Sequence, residues 1–105
     1  MHKSHSILFL FLFAAACASI DPSLRREATL NREKLNHVHV GQTLDEVRAI
    51  MGKEPERRDA RKRFDGKVVE LWSYATDYVR RLDTTITFID GRVEEIKTST
   101  WYDPD

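Results

Sequence analysis

The segment TLDEVRAIMG, residues 43–52, carries the clearest structural signal in this chain. Thr43 and Glu46 form a capping-box pattern, in which each side chain accepts a hydrogen bond from the main-chain amide of the other residue. Gly52 lies where a helix ends through a left-handed residue, and Pro55 shortly afterwards prevents the helix from continuing. A helix of about nine residues is unstable alone in water. The segment therefore predicts a short helix that must pack against other parts of the chain.

The pattern after this helix changes from helical spacing to alternation of apolar and polar residues. β-branched and aromatic residues dominate the stretch 68–75, and alternation in Thr84 to Ile89 puts Thr84, Ile86 and Phe88 on one face of a strand. A third candidate strand follows at 92–98. These three stretches predict antiparallel strands.

The dipeptide Asp90-Gly91 is a strong hairpin signal between the last two strands. Val93 and Ile96 would fall on opposite faces of a regular strand. This spacing predicts a β-bulge or a three-residue loop, with the extra residue at Gly91 or Arg92.

A second hairpin signal, Asp65-Gly66, follows a highly charged arm at 57–64. A two-residue turn here would place Arg61 opposite Glu70. Because the arm is nearly all charge, we expect it to be an edge strand or a loop, where its basic residues would discourage edge-to-edge aggregation.

The residues before the capping box predict a second short helix. Asn31 is a good N-cap residue, and the helix it begins should end before Gly41. Asp21-Pro22 suits the start of a helical turn, but residues 17–30 lack a continuous apolar stripe and are expected to be mainly a tether. The sequence predicts an α+β fold, with two short helices on one face of a three-stranded antiparallel sheet, or a four-stranded sheet if the charged arm joins it.

The first 17 residues have the pattern of an export signal. A polar, weakly basic start precedes an apolar run of about ten residues that is too short to span a bilayer. The segment Phe13-Ala14-Ala15-Ala16-Cys17 resembles the lipobox of bacterial lipoproteins, in which the cysteine is acylated and becomes the first mature residue. The alternative is an ordinary secretory signal cut near the alanines, which leaves a free thiol at Cys17. We expect a signal peptide at 1–16, a lipidated tether at 17–30 and a folded domain at 31–105.

Composition limits the class of function. The 105 residues include 17 Lys and Arg against 17 Asp and Glu, so there is no global electrostatic case for binding nucleic acid. The single cysteine leaves no partner for an internal disulfide. Neither a Gly-x-Ser-x-Gly pattern nor a phosphate-binding glycine loop is present. His37 and His39 lack a third ligand at metal-binding spacing. We expect no enzyme activity, no metal and no cofactor.

Two surface regions are candidates for binding. We call the first the basic arm, and it could meet anionic lipid headgroups or be a solvated edge balanced by neighbouring carboxylates. It consists of Arg57, Arg58, Arg61, Lys62, Arg63 and Lys67.

The second candidate is the turn between the first two predicted strands of the alternating region. Tyr78 lies there beside Arg80 and Arg81, a combination that is common at protein interfaces. The aromatic residues Trp101 and Tyr102 either fold back over the sheet or stay available to a partner, and we favour the former.

Five stretches of the chain resemble the SmpA/OmlA (BamE-like) family of small outer-membrane lipoproteins. They are residues 40–47, 50–52, 71–74, 84–88 and 90–93. The resemblance implies two helices on a three-stranded antiparallel sheet. It also implies a lipid anchor at Cys17 on the periplasmic face of the outer membrane, where Ala18 fits outer-membrane delivery. The implied partners are proteins of β-barrel assembly or of the periplasmic envelope.

The resemblance leaves an alternative function open. Related scaffolds occur in periplasmic inhibitors and in stress-related lipoproteins. An inhibitor would need an exposed aromatic patch on the sheet, so Trp72 or Tyr74 should then be accessible to solvent.

Overall fold

The computed structural model describes residues 21–101, which form two helices and four strands. The strands are antiparallel and lie in sequence order, β1-β2-β3-β4, so each is joined to the next by a turn. The predicted α+β fold is confirmed, with the charged arm as the fourth strand. The predicted signal peptide, Cys17 and Tyr102 lie outside the described residues. In chain order the elements are α1 (Pro22–Leu35), α2 (Leu44–Met51), β1 (Arg57–Lys62), β2 (Val68–Asp77), β3 (Leu82–Ile89) and β4 (Arg92–Thr100).

Helix α2 begins at the predicted capping box and ends at Gly52, as predicted. The amide of Glu46 donates to Thr43 Oγ1 at 3.2 Å, and the amide of Thr43 donates to Glu46 Oε1 at 3.5 Å. Gly52 caps the other end with φ of 68°. Val47 and Met51 are fully buried, so the helix is held by one apolar face.

Helix α1 begins earlier than predicted. The expected start at Asn31 is wrong, because the helix runs from Pro22 with Asp21 as its N-cap. The stretch 22–30, expected to be a tether, is therefore helical. Its Ala28 is buried, so this part of the helix belongs to the packed domain.

The buried side chain of Asn31 explains why the first part of helix α1 was not predicted. Its amide nitrogen donates to the main-chain oxygen of Ala75 at 2.9 Å, which anchors α1 to β2. A polar residue in the buried face interrupts the apolar spacing by which amphipathic helices are recognised. The contact that satisfies its amide nitrogen lies 44 residues away and is not visible locally.

The core lies between the two helices and one face of the sheet. Trp72 packs edge-on against Phe88, with ring centroids 4.7 Å apart. The buried side chains that pack together in this core are Val38, Val47, Met51, Trp72, Tyr74, Ile86, Phe88 and Val93.

The β1–β2 register differs from the prediction by one residue. Arg61 lies opposite Val69, not opposite Glu70. The cause is the turn, which uses one more residue than the two-residue hairpin that Asp65-Gly66 suggested.

The geometry of this turn accounts for the shift. The amide of Gly66 donates to the oxygen of Arg63 at 2.9 Å, and the amide of Arg63 donates to the oxygen of Lys67 at 2.8 Å. Gly66 has φ of 87°, which a residue with a side chain rarely adopts. The Asp65 carboxylate accepts from the amide of Lys67 at 3.1 Å and so favours this turn.

The second hairpin has the two-residue turn that its signal indicates. Asp90 and Gly91 have φ of 50° and 82°, as a type I′ turn requires. The predicted irregularity is a bulge in β4, but at neither predicted position, because Phe88 pairs with Val93 whereas Thr87 pairs with Glu95. The extra residue is thus Glu94.

Candidate binding surface

Strand β1 forms one exposed edge of the sheet, and two of its three arginines, Arg57 and Arg58, are engaged with carboxylates. Arg58 donates from Nε and Nη2 to Glu70 Oε1, at 3.1 and 3.0 Å. Arg57 lies 3.6 Å from a carboxylate oxygen of Asp83. These pairs favour the interpretation of the basic arm as a balanced edge.

Arg58 also covers the core. Its guanidinium carbon lies 5.5 Å from the ring centroid of Trp72, and that of Arg48 lies 5.3 Å from the same ring. Glu54 links the two arginines at 3.6 and 3.8 Å. Cations stacked on an indole stabilise it through the ring quadrupole, so Arg58 is engaged in the fold.

The turn after β1 contains another arginine of the basic arm, Arg63, which is also paired. Arg63 forms a hydrogen-bonded ion pair with Asp65. The hydrogen bonds from Arg63 and from the amide of Lys67 lower the pKa of the Asp65 carboxyl to about 2. Among residues 21–101, Arg61 alone of the four named arginines of the basic arm has no carboxylate within 4.0 Å.

The β2–β3 turn carries the second predicted site. Tyr78 and Trp101 meet edge-on with ring centroids 4.9 Å apart. The amide of Trp101 donates to the oxygen of Arg81 at 2.8 Å, so this aromatic residue packs against the turn. Trp101 remains 41% exposed, which leaves part of the indole available to a partner. The amide of Arg80 donates to Asp77 Oδ1 at 2.9 Å and fixes the turn.

A concave surface of about 320 Å³ lies between this turn and helix α1. We call it the turn groove. Helix α1 supplies two residues that the sequence did not indicate, Arg25 and Arg32, and Arg25 lies in the part of the helix that was expected to be a tether. The groove is lined by Arg25, Ala28, Thr29, Arg32, Thr76, Asp77, Tyr78, Val79 and Arg80.

A second concavity of about 290 Å³ shares lining residues with the turn groove. It extends toward Leu82, Ile96 and Thr98, where the sheet is only partly covered. Hydroxyl groups run across its floor, with Thr84 Oγ1 lying 3.1 Å from Thr76 Oγ1 and 2.8 Å from Thr98 Oγ1. Together the two concavities follow helix α1 from Arg25 to Leu35 and are lined by both polar and apolar side chains.

The aromatic side chains that the inhibitor alternative needed are buried. Trp72 is 1% exposed and Tyr74 is 0% exposed. The Tyr74 hydroxyl donates to the oxygen of Lys53 at 3.2 Å, and burial raises its pKa to about 12. Neither side chain can form the exposed patch, which counts against an inhibitor of that kind.

The described part of the chain has neither a metal-binding cluster nor a membrane-spanning helix. Residues 21–101 contain no group of three or more His, Cys, Asp or Glu side chains placed to hold a metal ion. His37 and His39 are exposed. No helix within the same range is long and apolar enough to cross a membrane.

Comparison of the chain with protein-family models, with curated proteins and with solved structures found no match. The likeness to the SmpA/OmlA family therefore stays a prediction from the residues that carry it.

Proposed function

We propose that the protein is a non-catalytic lipoprotein of the outer membrane that binds other proteins of the periplasmic envelope. Lipidation of Cys17 attaches it to the periplasmic face, and its role lies in β-barrel assembly or envelope integrity. The attachment and the role rest on the lipobox-like segment 13–17 and on the resemblance to the SmpA/OmlA family.

The turn groove is the observation that supports protein binding. It combines Tyr78 with arginine side chains around a concave surface, and half-exposed Trp101 lies against Tyr78. Aromatic residues and arginine are enriched in the parts of interfaces that contribute most to affinity. By contrast, three of the four arginines of the basic arm already pair with carboxylates of the same protein.

Replacement of Cys17 tests the anchor. We expect Cys17→Ser to leave a folded protein that moves from the membrane pellet to the soluble periplasmic fraction, because acyl chains provide the attachment. Fractionation of cells followed by immunoblotting measures this shift. A Cys17→Ser protein that stayed in the pellet after a salt wash would contradict the proposed anchor.

Site-directed crosslinking in intact cells tests the protein-binding surface. A photoreactive residue at Val79, which is 64% exposed in the turn groove, should give a crosslinked product with a distinct envelope protein. The matched control is Phe64, which is fully exposed and follows β1 at the opposite end of β2. Mass spectrometry identifies the product. Equal products at both positions, or none at Val79, would contradict protein binding at this groove.

A further inference from the structure

The turn groove has an excess of positive charge. Three guanidinium groups line it, from Arg25, Arg32 and Arg80, against the single carboxylate of Asp77. Asp77 is already engaged, because it lies 3.6 Å from Arg32 and accepts a hydrogen bond from the amide of Arg80. The groove therefore contains more cationic groups than its single carboxylate can pair with.

Arg25 and Arg80 are the cations that remain open to a ligand. In the described chain, no Asp or Glu oxygen lies within 4.0 Å of either guanidinium. Both residues are exposed, and they come from two elements, α1 and the β2–β3 turn. A guanidinium recognises a carboxylate with two parallel hydrogen bonds, so two such groups beside one groove suit a ligand with more than one carboxylate.

Apolar surface accompanies this charge. Val79 is 64% exposed, Tyr78 is partly exposed, and the adjoining concavity reaches the half-covered Ile96. An ordinary counter-ion would use the arginines and leave this apolar surface in water. A segment that alternates acidic and apolar side chains would use both.

We propose that the turn groove binds an extended acidic segment of a partner protein. Its carboxylates pair with Arg25 and Arg80, and an apolar side chain between them packs on Tyr78 and Val79. The two adjoining concavities follow helix α1 from Arg25 to Leu35, and this length favours an extended peptide over a single headgroup. This inference rests on the proposed protein-binding function and names the chemistry of the partner.

Fluorescence anisotropy with synthetic peptides tests the proposal. The protein is the full mature lipoprotein in nanodiscs of neutral phosphatidylcholine. The probe is a short labelled peptide that alternates glutamate with leucine and phenylalanine, and the comparison peptide carries lysine in place of glutamate. We expect the acidic peptide to bind, the basic peptide not to bind, and the affinity to fall as salt rises.

Matched double variants locate the binding. Arg25→Glu with Arg80→Glu should weaken the acidic peptide at least about tenfold. Arg61→Glu with Lys62→Glu makes the same change of charge on exposed residues of β1 and should change the affinity less than about twofold. Thermal unfolding of each variant checks that the fold is retained. If charge reversal in the groove unfolds the protein, Arg25→Gln with Arg80→Gln replaces it.

Three results would overturn the proposal. The acidic peptide fails to bind at millimolar concentration, both double variants weaken it equally, or vesicles of phosphatidylglycerol bind through Arg25 and Arg80 while the peptide does not. The last result would make a lipid surface the occupant. If crosslinking at Val79 succeeds while the peptide fails, the protein-binding function stands and only the acidic segment is wrong.

Discussion

The basic arm and the turn groove are both rich in arginine, yet the two regions differ in what those arginines contact. On the basic arm, Arg58 stacks on Trp72 and donates to Glu70. At the turn groove, Arg80 uses only its main-chain amide within the described fold. A cluster of arginines therefore indicates a binding surface only where carboxylates of the same fold do not already pair with those arginines.

The largest effect should come from the ring under the basic arm. We expect Trp72→Ala to lower the free energy of unfolding by about 3–5 kcal/mol, because it removes a buried indole and leaves a cavity. Trp101→Ala, at the turn groove, should cost less than about 1 kcal/mol because that indole is half-exposed. Urea unfolding measures both. Equal losses of unfolding free energy for the two variants would contradict the distinction between a structural basic arm and a turn groove that is free to bind a partner.

A matched pair of arginine substitutions should give an intermediate effect. Arg58→Met should cost about 1–2 kcal/mol, because it leaves the Glu70 carboxylate, only 13% exposed, without its guanidinium. Arg80→Met should change stability by less than about 0.5 kcal/mol. Urea unfolding at neutral pH compares them. The comparison fails if Arg80→Met is the more damaging variant.

The smallest effect concerns the titration of Asp65. Its carboxyl should titrate with a pKa of about 2, because Arg63 and the amide of Lys67 hold the charged form. Arg63→Gln should raise that pKa toward the ordinary value, whereas Arg57→Gln should leave it unchanged. NMR titration of the carboxyl carbon measures this.

The same pKa fixes the direction of the pH dependence. The folded pKa lies below the unfolded value of 3.8, so the stabilisation is present above about pH 4 and is lost as pH falls toward 2. In Arg63→Gln this loss should be smaller. An unchanged acid limb of the stability profile would show that the ion pair contributes nothing.

The parts of the fold that depend on local chemistry were predictable from sequence. The capping box at Thr43 and the glycine at the end of α2 involve residues only a few positions apart. The strands follow from alternation, and the turn at Asp90-Gly91 from its dipeptide. Local preference and tertiary packing agree at these positions.

The parts that depend on distant contacts were not predictable. Helix α1 needs the bond from Asn31 to Ala75, and the register of β1 needs the Asp65 side chain to favour one turn over another. Only part of the turn groove was predictable, because Tyr78 and Arg80 are close in sequence whereas Arg25 reaches them through the first part of α1, which was not predicted. Sequence signals for this groove exist in Asp21-Pro22, which marks the true start of α1.

Because α1 starts early, the linker between the proposed lipid anchor at Cys17 and the folded domain is short. Four residue steps separate Cys17 from Asp21, and an extended chain of that length spans about 14 Å. With Cys17 lipidated as proposed, the short linker would confine the domain to a thin layer above the bilayer. A partner in the same membrane would then be present at a high effective concentration. Arg25 lies about one helical turn from Asp21, where the linker ends, so the turn groove would stay close to the membrane surface. A weak affinity for each partner segment would then be enough for lasting association.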